Sequence, residues 1–320
     1  MTFRPPATPD RLAPRFMEVA TLMRAPLATS LEGTDIGLFG IPYDGALTNR
    51  AGARHGPREI RNQSSLVRGI NHATRVAPFD LARIRDMGDV PFSSLFDIET
   101  VHANIADFCA DLVGAGIVPF GFGGDHSVSL PLLRAVAKDG PVALIHVAAH
   151  TDTPDAMMGS KFNHGSPFRR AVEEELIDPT HTIQIGIRGT QNTSEGWDYS
   201  KNAGMRVVFC EELHAAGPEQ IAAEACALVG DRPVYLSFDI DCLDPVYAPG
   251  TGTPEIGGMT THQAQLLLRG LRGLNYVGAD LVEVSPPFDT GGVTAMAGAM
   301  LGHEILCLLA EHLGSAQHKG

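Results

Sequence analysis

Three short segments, far apart in the chain, carry imidazoles and carboxylates at spacings that suit a metal ion. They are Gly123-Gly124-Asp125-His126, Ala148-Ala149-His150-Thr151-Asp152 and Asp239-Ile240-Asp241. Each follows a short apolar run, so each falls where a strand gives way to a loop. Side chains two apart on an extended segment point to one side, which pairs His150 with Asp152 and Asp239 with Asp241. Two imidazoles with at least three carboxylates and no thiolate suit a divalent ion such as Mn2+, or Ni2+ or Zn2+, rather than Cu(I) or an iron–sulfur cluster. A carboxylate can bridge two ions, so a dinuclear, hydrolytic centre is open to this set. The competing reading of such residues is a helix cap or a satisfied polar group. Capping is the preferred reading for Asp125, ahead of a helix starting near Ser127. His146, inside its run, reads as a hydrogen-bonded core histidine.

For these segments to converge they must lie along one edge of a sheet. Short strands are expected over 35–41, 117–121, 142–147, 182–187, 206–209, 234–238 and 277–284, alternating with helices over 57–67, 100–114, 127–137, 167–175, 218–229, 261–271 and 294–313. Runs such as Val142-Ala143-Leu144-Ile145 are apolar on both faces, as in a parallel sheet covered on both sides. The expected fold is α/β, a three-layer α/β/α architecture with a mainly parallel sheet, in which ligands gather at the carboxyl ends of the strands. Residues 1–30, rich in proline, read as an arm, and 31–320 as a single domain.

Composition narrows the function classes. Hydrophobic residues at 44% and charged ones at 19% describe an ordinary globular chain of 320 residues. Lys plus Arg number 24 against 37 Asp plus Glu, a net charge of -13, which speaks against nucleic acid and favours a cationic small substrate. The apolar runs read here are short of membrane-spanning length and the first ten residues lack the order of a secretory signal, so no membrane association and a cytoplasmic location are expected. The five cysteines are scattered without a C-x-x-C pair and read as buried thiols.

The same segments resemble the three signatures of the ureohydrolases, the arginase and agmatinase superfamily, in order and spacing over nearly the whole chain. The third extends through Ser237-Phe238-Asp239-Ile240-Asp241-Cys242-Leu243-Asp244-Pro245. Ala248–Gly258 and Glu283–Asp289 resemble its agmatinase-like side, particularly guanidinobutyrases and guanidinopropionases, as do Pro42–Gly45 and Gly52–Ile60. The resemblance implies an arginase-like fold and two divalent ions, Mn2+ foremost and Ni2+ as an alternative. It implies that His126, Asp152 and Asp239 hold one ion and His150, Asp239 and Asp241 the other, with Asp239 bridging and Asp152 counted also among the catalytic groups. An activated water would attack the central carbon of a guanidinium. Glu283 resembles the carboxylate that pairs with that guanidinium, and His164 the imidazole that protonates the leaving amine, giving urea and an amine. A trimer or hexamer, homo- or heteromeric, is also implied.

One position departs from the family. Its middle signature begins with aspartate, where this chain has Ala148, on the same side of the strand as His150 and Asp152. A methyl group cannot coordinate, so each ion loses one ligand, and metal occupancy and activity are expected to fall. Two explanations compete: an engineered replacement, or a natural non-catalytic subunit whose partner does the chemistry, as in assemblies such as metformin hydrolase. A plain guanidinium-binding protein is a third class. Selectivity is expected in the loops 43–54 and 153–162. There Met157 and Met158 offer a pliable wall, while Asn49, Arg50 and Arg54 offer partners for a substrate carboxylate. The alternative is that the methionines fill the core and the arginines cover the surface.

Overall fold

Eight strands form one sheet in which every pairing is parallel. The computed structural model describes residues 14–317, so residues 1–13 of the expected arm lie outside the described residues. In chain order the elements are β1 (Ile36–Ile41), α1 (Gly56–Gln63), α2 (Pro78–Leu81), β2 (Ile84–Asp89), α3 (Ile98–Gly114), β3 (Val118–Gly123), α4 (Ser129–Val136), β4 (Val142–Val147), α5 (Pro167–Glu173), β5 (Ile177–Ile187), α6 (Glu195–Ala203), β6 (Arg206–Phe209), α7 (Cys210–Ala216), α8 (Pro218–Val229), β7 (Pro233–Asp239), α9 (Thr261–Gly270), β8 (Asn275–Val282) and α10 (Val293–Gln317). The strand order is β2-β1-β3-β8-β7-β4-β5-β6.

Alternate side chains of one strand enter opposite cores, the physical signature of a sheet covered on both faces. Ala143, Ile145 and Val147 of β4 join one apolar cluster with Leu236, Phe120 and α10, while Val142 and Leu144 join another with α3, α4 and α5. The expected three-layer α/β/α fold is the fold observed. Helix α10 is long and apolar enough to cross a membrane by composition, yet most of it is buried in the body of the fold, which makes it a core helix.

Local signals set several boundaries. Asp97 accepts a hydrogen bond from the Thr100 N–H and starts α3. Thr260 and Gln263 form a capping box at the start of α9. The first helix is shorter than the expected 57–67, because residues 64–66 tighten into a 3-10 turn after α1. Strand β2 escapes the sequence reading because it is an edge strand with charged residues, of which Asp86 is buried and satisfied by Arg61 and the Leu22 N–H. The polar helix α6 and the short α7 escape it too.

One buried group makes the fold sensitive to acid. His102 of α3 lies edge-on to Phe162 with ring centroids 5.7 Å apart, and its Nε2 has no hydrogen-bond partner among the described residues. Burial, helped by the Arg134 charge, pulls its pKa from 6.5 down to about 3. Between those values the unfolded chain binds a proton that the folded chain refuses, so stability falls as pH falls below 6.5. In urea denaturation, His102→Phe should lose less stability on acidification than the parent chain, the gap opening by up to about 1.4 kcal/mol per pH unit. Parallel pH profiles for the two proteins would count against this account.

Candidate functional site

The carboxyl ends of four adjacent strands, β3, β8, β7 and β4, place the site. His126 opens the turn after β3, where Asp125 accepts from the Ser127 N–H at 3.0 Å and from the Ala46 N–H at 2.9 Å. Asp125 therefore caps the turn and also fastens the loop after β1. Asp239, the last residue of β7, accepts from the Asp241 N–H at 2.8 Å. Asp241 reaches across to the end of β4, where its two oxygens meet the Ala149 N–H and His150 Nδ1, each at 2.8 Å. Glu283 follows β8 and accepts from the His126 N–H at 2.9 Å. Main-chain hydrogen bonds thus lock the acidic groups onto neighbouring strand ends.

A relay of hydroxyls decides which nitrogen His126 presents. Buried Asp280 accepts from Ser129, Tyr235 and Ser237, each at 2.7 Å. The Ser237 proton is thereby committed, and its oxygen, 2.9 Å from His126 Nε2, must accept from that ring N–H. His126 Nδ1 is left with a lone pair directed at Asp152 Oδ2 and Asp239 Oδ2, at 2.9 and 3.0 Å. A ring nitrogen facing two carboxylate oxygens demands a proton or a metal cation, and neutral imidazole with carboxylates is the donor set of a divalent ion. His126, Asp152 and Asp239 fit such an ion. His150 and Asp241 form the adjoining pair, and Ala148, two residues before His150, is fully buried.

The electrostatics agree with that demand. Burial pulls the His126 pKa down, but Asp152 and Asp239 outweigh it and hold it well above the ordinary value. His150 is raised in the same way, with Asp241 the main opposing charge. Burial and the neighbouring Asp241 push Asp239 well above the carboxylate range. Without a cation, these groups keep protons that exposed ones would release.

Beside the cluster, His164 Nδ1 lies 3.3 Å from Glu283 Oε1, and its Nε2 lies 2.9 Å from the Thr48 hydroxyl. Burial opposes its charge, but the hydrogen bond and charge of Glu283 raise its pKa to about 9. Glu283 Oε2 is buried and has no hydrogen-bond partner among the described residues. An acceptor-only oxygen of this kind, beside a cavity of about 200 Å³, suits a cationic N–H donor.

Of the residues read from sequence, His126, His150, Asp152, Asp239, Asp241, His164 and Met157 line that cavity, and Glu283 stands behind His126 and His164. Asn49, Arg50 and Arg54 do not line it. Arg54 is bound by buried Asp44, and the Arg50 guanidinium lies over the Phe288 ring, 5.0 Å from its centroid. Met158 is exposed. Thr48 and Glu255 were not singled out by sequence, and neither sits in a ligand-like spacing. His146 was read as core. It is fully buried beside Gln184, but its Nε2 lies 3.6 Å from Asp152 Oδ2 and groups with His126 and Asp152 within 4.8 Å. The parity that placed Ala148 beside His150 also points at His146.

Comparison with known proteins accords with this geometry. The arginase family model matches residues 34–308. Guanidinopropionase of Pseudomonas aeruginosa is 51% identical over 93% of this chain and 94% of its own length. Guanidinobutyrase of the same organism is 48% identical over 92% and 94%. Among solved structures, proclavaminate amidino hydrolase from Streptomyces clavuligerus superposes with a TM-score of 0.90 at 39% identity, covering 94% of this chain and all of that one. A Trypanosoma cruzi formiminoglutamase variant crystallised with Mn2+ superposes at 0.79 and 25% identity, covering 88% and 95%.

The hydroxyl relay can be tested directly. Ser237→Ala removes the acceptor that orients His126, and should weaken Mn2+ binding by about 10- to 100-fold in equilibrium dialysis. Unchanged affinity would show that the relay does not set the tautomer.

Proposed function

This chain belongs to the arginase family, and from that premise we propose that it is a metal-dependent amidinohydrolase that cleaves a guanidino compound to urea and an amine. The substrate class is a guanidino acid, agmatine or a relative of these. The observation that carries the reading is His126 Nδ1 held against Asp152 and Asp239 at 2.9 and 3.0 Å. Further support comes from the relatives of this chain, guanidinopropionase and guanidinobutyrase.

In this reading His126, Asp152 and Asp239 hold one divalent ion, and His150, Asp239 and Asp241 the other, with Mn2+ foremost and Ni2+ as the alternative. Bound there, the ions supply Lewis acidity, which lowers the pKa of water toward about 7. The protein's own groups do the rest. Glu283 Oε2 is the oxygen offered to the guanidinium, since the other is already held by the His126 N–H. Burial of the cavity floor strengthens that pairing by excluding water. As the carbon–nitrogen bond breaks, the nitrogen that leaves needs a proton. His164, charged at neutral pH, donates it from Nδ1 or Nε2, and the Thr48 hydroxyl holds the ring in place.

Ala148 limits this chemistry. Without a carboxylate at 148 each ion would be held by one side-chain ligand fewer and by about one unit less of negative charge. We place this chain as a weakly metallated member whose own turnover is impaired. A second reading, a non-catalytic subunit of a heteromeric ureohydrolase such as metformin hydrolase, draws on the same alanine. In either case a cytoplasmic trimer or hexamer is the expected setting.

Restoring the carboxylate separates the two readings. Ala148→Asp should bind two Mn2+ per chain and raise urea release by at least about 100-fold, as expected when a metal ligand is regained. Silence of the variant, relieved only by a second chain, would establish the subunit reading instead. In the active variant, turnover should fall as pH rises through about 9, where His164 loses its proton. A rate that stays flat to pH 10.5 or so would remove His164 from the proton-donor role.

A further inference from the structure

The two ring nitrogens of His164 have unequal partners. Nδ1 lies 3.3 Å from Glu283 Oε1, while Nε2 lies 2.9 Å from the Thr48 hydroxyl oxygen. Burial opposes a charge on this ring and Glu283 restores it, so at neutral pH each nitrogen carries a proton. A proton passed to Glu283 would neutralise the carboxylate that pairs with the guanidinium. One passed to Thr48 leaves that pairing intact, so Nε2 is the nitrogen able to give its proton up.

Thr48 is held in place to receive it. The His164 N–H donates to the Ala46 carbonyl at 3.1 Å, and the Ala46 N–H donates to Asp125 Oδ2 at 2.9 Å, which fastens the loop carrying the hydroxyl to the backbone carrying the ring. The Gly52 N–H donates to Asp44 Oδ2 at 2.7 Å and ties down the far side of the same loop. Thr48 lines the cavity beside His164. Its neighbour Leu47 borders the oxygen offered to the guanidinium, since a Cβ built on Gly252 would lie 3.3 Å from Glu283 Oε2 and 3.6 Å from Leu47 Cδ2. With its oxygen accepting from the charged ring, the hydroxyl keeps a proton of its own that no other acceptor holds among the described residues.

We propose that Thr48 is a catalytic residue, a hydroxyl relay that passes the His164 proton to the leaving amine; this rests on the guanidino reading above. As the carbon–nitrogen bond breaks, its electron pair stays on the nitrogen, which takes the Thr48 hydroxyl proton. The Thr48 oxygen takes the Nε2 proton in the same movement, and that bonding pair stays on the ring. Thr48 ends as it began, and His164 ends neutral. A hydroxyl can serve because it donates and accepts at once.

The test compares Ala148→Asp with the same chain carrying Thr48→Val or Thr48→Ser. Thr48→Val should lower kcat by about 10- to 100-fold with KM nearly unchanged, and Thr48→Ser should recover most of that loss. Rates in mixed H2O and D2O should curve with deuterium fraction in Ala148→Asp, as two protons in flight require, and run straight after Thr48→Val. Equilibrium dialysis should show the same Mn2+ affinity with and without Thr48→Val. Full kcat in Thr48→Val, equal losses in the valine and serine variants, a straight deuterium plot for Ala148→Asp, or a fall in Mn2+ affinity that matches the fall in rate overturns the relay and leaves the guanidino reading standing. If Ala148→Asp itself releases no urea, the reading of this chain as a guanidino hydrolase falls, and the relay with it.

Discussion

A buried imidazole nitrogen confronted by two carboxylate oxygens is the interaction on which the site depends. His126 Nδ1 stands about equally far from Asp152 and Asp239, at 2.9 and 3.0 Å, and all three side chains are nearly inaccessible. Three such groups cannot stay buried without a positive charge among them. The Asp280, Ser237 and His126 chain decides that Nδ1 is the nitrogen that meets the carboxylates, where either a proton on the ring or a cation beside it supplies the charge. The rest of the strand-end network, from Asp241 on His150 to Glu283 on the His126 N–H, keeps these oxygens from turning away.

Two of the positive-φ non-glycine residues lie at the same place. Asp152 and Glu283 have φ of 52° and 66°, in the left-handed region that non-glycine residues avoid. Each such residue costs about 1–3 kcal/mol, so the surrounding hydrogen bonds must over-determine it. Gly124 shows how tightly the loops are drawn in: a Cβ there would lie 1.6 Å from the Tyr43 carbonyl oxygen. The loop after β1 lies directly against the end of β3, which is how Thr48 reaches His164.

Much of this was legible in the sequence, and what was not failed for identifiable reasons. Strands flanking the ligands were readable because β-branched runs such as 142–147 are apolar on both faces. The ligand segments were readable because a two-residue spacing fixes which side chains share a face. Edge strand β2 was not, since Asp86 sits where an apolar residue would be expected and is satisfied only by Arg61 and Leu22, distant in sequence. Arginines 50 and 54 were offered either to a substrate carboxylate or to the surface, and no local pattern shows that Asp44 and Phe288 engage them. His146 was read as a hydrogen-bonded core histidine and is fully buried beside Gln184, while the two-residue spacing carried one step back from position 148 also turns it toward Asp152.

The sheet order has a consequence for how the protein is made. The β3 and β8 strands lie side by side, yet the His126 N–H and the Glu283 carboxylate that it meets are 157 positions apart along the chain. Closing so large a loop carries an entropic cost before any contact repays it, and parallel pairings of high contact order form slowly. The centre of the sheet therefore assembles late, so a nascent chain spends its time with the interior strands exposed and the acidic ends still apart. Such a chain would lean on chaperones during synthesis more than a protein of equal size built from neighbouring hairpins.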